Sequence, residues 1–371
     1  MKATCERERL LHAFQLAAMV APARSPKPIL QNVKLDAGTE TTTLMGTDLD
    51  VGLRIEVPGF EVEAPGSVIL PRDRFGKILA ESGDEKLRLE SDGRKTWVRG
   101  QHSEFQLPSE NPDEFPNVQA FEEQKFHELP ARFFREIIRR TVYATDNESS
   151  RYALGGVLVE LNDRGITAVA TDGRRLARQE GAASAVGGHA TGDRTTIIPT
   201  RAMQLMERVL ADNEENVQLA ARDNDVLLRS SNAVVYSRLV EGRYPKWRDV
   251  FPRREGMIHI DLTVGPFYGA VRQAMIVTSD ERRGVDFTFG GGKAVLAGHG
   301  AQHGESHVEL PIAYDGSEVS ITLDPRFLSD FLKVLDAEGS IAVELRNAES
   351  AAVCSTEDGY AYVVMPLARE Q

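Results

Sequence analysis

A threefold internal repeat constrains the fold of this chain more than any other feature of its sequence. Three segments share one design, a short aliphatic strand, a proline and then an amphipathic helix: VILPRDRFGKIL at 68–79, TIIPTRAMQLM at 196–206 and ITLDPRFLSDFLKVL at 321–335. Their prolines, Pro71, Pro199 and Pro325, are 128 and 126 residues apart. Each proline is predicted to be the first residue of its helix, a position that tolerates a missing N–H. Tandem copies of one structural unit explain such a period.

A second helix is predicted before each of these segments, over 5–20, 130–143 and 264–277, and the Pro-led helices over 71–81, 199–211 and 324–336. Alternating strand-like runs such as VKLDAG, GVLVEL and VQLAA lie between the helices, with turn residues at their joints. This order predicts an α+β fold, with two helices per unit packed on antiparallel sheets. We expect three similar domains, 1–125, 126–253 and 254–371, with polar linkers near 122–128 and 252–257.

Charge is distributed unevenly between the predicted helices and the rest of the chain. The 56 acidic and 44 basic side chains give a formal net charge of −12, which argues against a nucleic-acid partner because phosphates are bound by Lys and Arg. The six predicted helices nevertheless carry +5 together, which leaves −17 for the remainder. On the 130–143 helix, one arc is apolar and the other carries Arg132, Arg135, Arg139 and Arg140. That arc is either an ordinary solvated face or part of a mildly basic surface for phosphates, without base readout.

Motifs of enzymes and metal sites are missing from the sequence. It has no GxxxxGK[ST], GxSxG or HExxH. His299, His303 and His307 lie in a glycine-containing segment that is predicted as strand or loop, so no metal site is expected there. The acidic pairs Asp48/Asp50 and Asp146/Glu148 are interpreted as solvated turn carboxylates. We therefore expect no catalytic residue, no metal and no cofactor.

The cysteines and the N-terminus bear on the cellular compartment. Cys5 and Cys354 are too few for a disulfide framework or a zinc site, and are interpreted as structural or free thiols. No apolar run reaches the roughly 18 residues of a membrane span. The opening MKATCERERLL is charged where a secretory signal is apolar, so a cytoplasmic protein without a membrane partner is expected.

Several segments along the whole chain carry a family resemblance: the opening MKATCERERLL, PKPILQNVKL followed by GTDLDVGL, RYALGGVLVEL, ATDGRRLA, LVEGRYPKWRDVFP and the closing YAYVVMPL. Together, and in this order, they resemble bacterial sliding clamps, the β subunits of DNA polymerase III. The resemblance implies the DNA clamp fold and a head-to-tail homodimeric ring around double-stranded DNA, bound without sequence specificity. It implies a non-catalytic processivity factor that an ATP-driven clamp loader places on DNA. Its implied partners are the DNA polymerase III catalytic subunit, ligase, mismatch-repair proteins and translesion polymerases.

The resemblance also implies a pocket, between the second and third domains, for short partner peptides with apolar anchors. Its matching residues here are Leu154, Thr171, Gly173, Arg174, Arg175, Leu176, Pro245, Val250, Val363, Val364, Met365, Pro366 and Leu367. For the aliphatic members, such as Leu176 and Val364, ordinary core packing is the alternative. Arg174 stands where many clamps have His, Asp249 stands where Arg is common, and the tail after Leu367 also departs from the family pattern, which bears on peptide preference.

The DNA and subunit contacts complete the set of implied sites. The family's DNA-contacting positions match Arg24, Tyr152 and Arg201, and helix geometry adds Arg72, Arg132, Arg135 and Arg139. For Arg132, Arg135 and Arg139, the alternative is that they are ordinary surface charges that serve solubility. The subunit contact is expected to join Phe105 and Leu107, on an edge strand, to Ile276 and Val277, on a third-domain helix; intradomain core is the alternative.

Two other functions stay open from the sequence. A monomeric scaffold that binds peptides without encircling DNA would fit the acidic total and the altered pocket residues. An enzyme that uses the clustered carboxylates has almost no support from the sequence.

Overall fold

The computed structural model describes the chain except for residues 147–151, 211–214, 253–255, 281, 301–303 and 368–371, and the side chain of Tyr152. The chain forms two compact units. Unit 1 comprises Met1–Arg135, Ala183–Arg194 and Arg201–Leu239, and unit 2 comprises Glu136–Ala182, Thr195–Thr200 and Val240–Gln371.

All six predicted helices are present. They are α1 (Arg7–Val20), α2 (Arg72–Glu81), α3 (Ala131–Thr141), α4 (Thr200–Val209), α5 (Val264–Ala274) and α6 (Pro325–Leu332).

Five of the six predicted helix starts were one or two residues too early, at 5, 71, 130, 199 and 324. Cys5 belongs to a strand, because it alternates with Ala3 as a buried side chain of β1 (Lys2–Glu6). Pro71 and Pro199 end strands and directly precede α2 and α4, since their extended backbone continues the preceding aliphatic run. Of the three repeat prolines, Pro325 alone is the first residue of its helix, and the Asp324 carboxylate caps that helix by accepting a hydrogen bond from the Arg326 N–H at 3.0 Å.

The strands that follow β1 are β2 (Asn32–Ala37), β3 (Thr42–Thr47), β4 (Val51–Glu56), β5 (Glu61–Ala64), β6 (Gly66–Pro71), β7 (Lys86–Ser91), β8 (Lys95–Arg99), β9 (Glu104–Pro108), β10 (Phe126–Pro130), β11 (Gly156–Asn162), β12 (Gly165–Thr171), β13 (Arg175–Gly181), β14 (Ser184–Val186), β15 (Ile197–Pro199), β16 (Asn216–Ala221), β17 (Asp225–Arg229), β18 (Ala233–Arg238), β19 (Ile258–Thr263), β20 (Val285–Gly290), β21 (Lys293–Gly300), β22 (Gly304–Pro311), β23 (Val319–Leu323), β24 (Ser340–Leu345), β25 (Ala352–Ser355) and β26 (Tyr360–Val364). Phe126–Glu128, predicted as linker, are part of β10 because they pair with β14.

Unit 1 contains two antiparallel sheets. One has the strand order β5-β1-β7-β8-β9 and the other β14-β10-β16-β17-β18-β4-β3-β2-β6. Helix α1 packs on β3, where Gly46 allows the close approach: a Cβ at Gly46 would overlap the carbonyl oxygen of Ala17. Phe14 of α1 and Phe75 of α2 meet edge to face, with ring centroids 4.9 Å apart.

Unit 2 also contains two antiparallel sheets, ordered β15-β11-β12-β13-β26-β25-β24-β19 and β22-β21-β20-β23. Phe267 of α5 packs on Phe287 of β20, and Phe331 of α6 stacks on Tyr362 of β26 with ring centroids 4.9 Å apart. No helix in the described part of the chain is long and apolar enough to cross a membrane.

The repeats share sheets. In unit 1, β4 of the first predicted domain pairs with β18 of the second, and Tyr236 lies opposite Gly52. In unit 2, β13 of the second pairs with β26 of the third, and Leu176 lies opposite Val363. The predicted α+β class with antiparallel sheets is confirmed, whereas the three domain spans stay a prediction and the 253/254 boundary lies outside the described residues.

Candidate peptide-binding and nucleic-acid surfaces

A hydrogen-bonded turn over 171–175 joins β12 to β13 in unit 2. The Thr171 hydroxyl donates to the Arg175 carbonyl at 2.7 Å and accepts from the Gly173 N–H at 3.0 Å. The Asp172 carboxylate accepts from the N–H groups of Arg174 and Arg175 at 2.9 and 3.0 Å. Gly173 has a φ of +87°, a conformation that favours glycine. The local sequence TDGRR therefore specifies this turn.

A buried apolar cluster lies in the same unit, and two of its members, Val169 and Leu176, flank this turn in the sequence. It contains Leu154, Leu158, Val169, Leu176, Ile197, Tyr244, Trp247, Val353 and Val363, all buried. The Tyr244 hydroxyl donates to the Val169 carbonyl at 3.0 Å, so its polar end is satisfied inside the cluster. Leu176 and Val364 are 1% and 0% exposed and lie in the core of the chain, as does Thr171 at 6%.

The accessible part of the predicted pocket is a rim that we define as Gly173, Arg174, Pro245, Val250 and Met365, all exposed. Val250 and Met365 are 40% and 45% exposed, which is high for large apolar side chains. The Met365 N–H donates to the Arg174 carbonyl at 2.9 Å, so the chain after β26 is tied to the 171–175 turn. Pro366 and Leu367 are half-buried.

Trp247 and Glu160 were not predicted as site residues, although both support the rim. Trp247 begins the short 3-10 helix Trp247–Val250, so its anchoring also fixes Val250. Its indole N–H donates to Glu160 at 3.3 Å, and the Arg248 guanidinium lies 4.2 Å from its ring and donates to both Glu160 oxygens. Hydrogen bonding to Glu160 raises the pKa of Arg248, against the lowering effect of desolvation. The sequence signal was the tryptophan three residues before Val250.

Arg140 does not belong to the exposed basic face of α3. It is 6% exposed, and its guanidinium pairs with Glu136 at 2.5 Å and Asp358 at 2.8 Å. The guanidinium also lies 5.0 Å from the centre of the Tyr360 ring. On the same helix, Arg132 and Arg139 are exposed and Arg135 is half-buried.

The other predicted DNA-contacting residues differ in their surroundings. Arg24 is exposed, and Arg72 is half-buried with one guanidinium nitrogen donating to the Ala21 carbonyl at 2.8 Å. Arg201 is exposed but forms an ion pair with Asp48 and donates to the Val20 carbonyl at 3.1 Å. Tyr152 begins the 3-10 helix Tyr152–Leu154, and its side chain lies outside the described part.

The interpretation of Asp48 as a solvated turn carboxylate was wrong. Its side chain is 15% exposed, because it caps its own turn and pairs with Arg201. Asp50 is 74% exposed and lies 3.7 Å from Arg238. Glu148, of the second acidic pair, lies outside the described residues.

The residues predicted for the subunit contact are also unequal in exposure. Phe105, on β9 at the edge of its sheet in unit 1, is 39% exposed, while Leu107 is buried at 6%. In unit 2, Ile276 is 77% exposed and Val277 is half-buried. Both lie in the short 3-10 helix Met275–Val277 rather than on α5, a correction that follows from the change in backbone after Ala274.

The histidines and cysteines in the described part of the chain form no cluster that could hold a metal ion. His299 and His307 lie on the paired strands β21 and β22, His303 falls outside the described residues, and no group of three potential ligands occurs in the part that is described. Cys5 and Cys354 are buried, and burial raises the pKa of both thiols to about 12. The thiolate, which is the reactive form, is therefore disfavoured at neutral pH.

The repeated helix–sheet units with shared antiparallel sheets define a protein of the DNA-clamp class. Models of the N-terminal, central and C-terminal domains of the DNA polymerase III beta subunit match residues 1–119, 128–246 and 248–368. The chain belongs to the DNA polymerase III beta subunit family.

Individual relatives agree with this assignment. The chain is 27% identical over 374 residues to the beta sliding clamp of Escherichia coli K12, which covers 99% of this chain and 100% of the relative. It is similar to the crystal structure of the Bacillus subtilis sliding clamp, with a TM-score of 0.92 and 23% identity. It is also similar to the Pseudomonas aeruginosa clamp bound to griselimycin, with a TM-score of 0.91 and 26% identity; both comparisons cover 100% of each chain. The predicted family and the role as a non-catalytic sliding clamp of DNA polymerase III are confirmed.

Proposed function

We propose that this protein acts as a homodimeric ring around duplex DNA and tethers the polymerase and other proteins through the rim residues Gly173, Arg174, Pro245, Val250 and Met365. The observation that carries the proposal is the exposure of two large apolar side chains, Val250 and Met365, in the unit that also holds the buried apolar cluster. Bacterial chromosomes are replicated in the cytoplasm, so the proposal includes a cytoplasmic location.

The rim has the chemistry of a peptide-binding surface. Exposed aliphatic side chains contribute apolar contact area, and the Gly173 turn and Arg174 contribute polar groups at its border. Leu154, Leu176, Val363 and Val364 belong to the proposed pocket as its packed floor, since they are almost fully buried. Thr171 and the backbone of Arg175 form the turn, and Pro366 and Leu367 extend the surface along the chain.

DNA is held in this proposal by scattered basic residues: Arg24, Arg72, Arg132, Arg135, Arg139 and Arg201, with Tyr152. Contacts to phosphates alone carry no base readout, which suits a ring that moves along DNA. The acidic remainder of the chain disfavours DNA binding at other surfaces.

The ring is proposed to close through Phe105 and Leu107 of one subunit and Ile276 and Val277 of the next. An isoleucine that is 77% exposed in the single chain is a strong candidate for burial by a partner. A head-to-tail contact of this kind generates a closed ring when its rotation fits. Opening of this ring would be the task of the clamp loader.

The pocket is tested by exposed residues, because Leu176→Ala would disturb the core as well. We expect Met365→Glu and Val250→Glu each to weaken binding of a synthetic peptide from the clamp-binding segment of a polymerase III catalytic subunit by about tenfold or more. Leu49→Glu is the matched control, since Leu49 is 42% exposed and lies at the corresponding turn of unit 1. The mass in solution should stay near twice 40.9 kDa for all three. Unchanged peptide affinity in both rim variants would refute the pocket.

A further inference from the structure

The 171–175 turn of unit 2 has a structural copy in unit 1 over residues 47–51. There the Thr47 hydroxyl donates to the Val51 carbonyl at 2.8 Å and accepts from the Leu49 N–H at 3.0 Å. The Asp48 carboxylate accepts from the Asp50 and Val51 N–H groups at 3.1 and 2.7 Å. These are the same four hydrogen bonds as in the 171–175 turn. In the unit 1 turn, Val51 occupies the position that Arg175 has in unit 2. The turn itself therefore does not require a guanidinium at that position.

All three nitrogens of the Arg175 guanidinium are hydrogen-bonded inside unit 2. Nε donates to Asp172 at 2.9 Å, one terminal nitrogen donates to Asp330 at 2.7 Å, and the other donates to the Tyr143 carbonyl at 2.8 Å. The side chain is only 11% exposed. These three bonds use one N–H of each nitrogen and fix the orientation of the guanidinium, so the side chain cannot turn toward a ligand at the rim without giving up a partly buried ion pair.

Helix α6 supplies two of the contacts of this guanidinium, from Phe327 and Asp330. Phe327 and Asp330 are three residues apart and therefore lie on one face of the helix. The Phe327 ring centroid lies 4.6 Å from the guanidinium carbon of Arg175. The Tyr362 hydroxyl of β26 donates to the Phe327 carbonyl at 3.0 Å, so α6 is also tied to the strand that leads to Met365.

These contacts form a closed circuit. Arg175 connects the 171–175 turn to α6, Tyr362 connects α6 to β26, and the Met365 N–H connects the residue after β26 back to Arg174 at 2.9 Å. Two of the rim residues, Arg174 and Met365, lie on this circuit. The pairing of β13 with β26, which sets Arg175 opposite Val364, places these two residues side by side, and α6, which contributes no residue to the rim, braces that arrangement.

We propose that Arg175 and Asp330 are positioning residues for peptide binding: their ion pair fastens the turn to α6 and holds Gly173, Arg174 and Met365 in the binding arrangement. This inference rests on the proposed function of the rim. A preformed rim binds without an ordering cost, whereas a loosened rim binds only in the fraction of molecules that hold the competent arrangement.

The test uses Asp330→Ala in the full-length dimer, because Asp330 belongs to α6 and not to the rim. Peptide affinity and backbone amide exchange are measured together. We expect affinity to fall about three- to tenfold, in the range of mutations that act on a site without contacting its ligand. Exchange at Gly173, Arg174, Arg175 and Met365 should accelerate, while exchange at 49–51 in the unit 1 copy should not.

Two further variants test whether the effect of Asp330→Ala arises from its bond to Arg175. Lys333→Ala is the matched control, because Lys333 pairs with the other oxygen of Asp330 at 2.7 Å and its removal leaves the Arg175 bond in place; it should change neither measurement. Asp330→Ala introduced into an Arg175→Met background should cause no further loss of affinity, as expected for two residues that act through one bond.

The outcomes separate the two proposals. A wild-type protein that fails to bind the peptide refutes the function of the rim and the positioning role with it. Binding by wild type and Asp330→Ala with equal affinity overturns the positioning role alone. Acceleration of exchange throughout unit 2, without selective change in the turn, would assign the pair to general stability and also overturn it.

Discussion

Leu49 and Gly173 occupy the same position in two copies of one turn, with φ angles of +82° and +87°. Leu49 is the one non-glycine residue with a positive φ in the described part of the chain. A branched side chain in this conformation costs roughly 1–2 kcal/mol relative to the right-handed region. The four side-chain-to-backbone hydrogen bonds of the turn hold Leu49 there, so threonine and aspartate specify this turn more strongly than glycine does.

The backbone conformation of Gly173 can be tested by substitution. No atom lies within 4 Å of a Cβ added at Gly173, so Gly173→Ala has only a conformational cost, and we expect a loss of about 1 kcal/mol in the free energy of unfolding. Gly269 in α5 also has open space around an added Cβ but has ordinary helical geometry. Gly269→Ala should therefore stabilise the protein by about 0.5–1 kcal/mol. Urea unfolding measures both, and stabilisation by Gly173→Ala would contradict the turn geometry.

Acid should destabilise unit 1 through a buried histidine pair. The Nδ1 atoms of His127 and His189 lie 2.7 Å apart, so at least one ring must be neutral to accept the hydrogen bond. Desolvation lowers the pKa of His189, as do the charges of His127 and Arg194, against the raising effects of the Ala221 backbone and Glu123. The unfolded chain then binds the proton more readily than the fold does. The contribution of this histidine pair to the stability of the fold is therefore complete above about pH 6.5, the ordinary pKa of histidine. It declines as the pH falls below that value.

His189→Asn should flatten this pH dependence, which thermal unfolding between pH 7.5 and 5 would measure. His12→Asn, at an exposed position on α1, is the control and should keep the slope of the wild type. An unchanged slope in His189→Asn would show that other groups cause the acid sensitivity.

Ile276 is the most exposed large apolar residue among those described, so a substitution there tests the proposed subunit contact. Ile276→Glu would place a charge in the proposed interface, and we expect the dimer dissociation constant to rise at least about tenfold. Sedimentation equilibrium measures this directly. Met365→Glu should leave the dimer intact, while Ile276→Glu should leave peptide affinity intact. A dimer unaffected by Ile276→Glu would place the interface elsewhere.

The basic face of α3 should bind phosphates in a salt-sensitive way. Replacing the exposed Arg132 or Arg139 with Ala should reduce the slope of log affinity against log salt by about 0.9 for each phosphate that the variant no longer neutralises. Arg248→Ala is the control, because Arg248 is paired with both oxygens of Glu160. Equal slopes for all of these proteins would show that α3 does not meet the phosphates.

Much of this architecture was predictable because its signals are local. Apolar periodicity marks the six helices, and the TD dipeptides mark both turns. The starts of α2 and α4 were misplaced because the strand before each proline runs directly into the helix, so no change in composition separates them.

The features that the sequence could not predict depend on distant partners. Arg140 is paired with Asp358, 218 residues later, and Asp48 is paired with Arg201, 153 residues later. Nothing in the local pattern of α3 separates Arg140 from Arg139, since both follow the helix's charged arc. The division of the pocket into a buried floor and an exposed rim likewise depends on how β13 and β26 pair.

The protein is proposed to hold DNA by enclosing it. After loading by a clamp loader onto a nicked circular plasmid, the protein should co-elute with the circle in gel filtration at a salt concentration that prevents direct binding. Cutting the circle once should release it, because a ring can leave only at an end. Equal retention on the circular and linear forms would contradict topological binding.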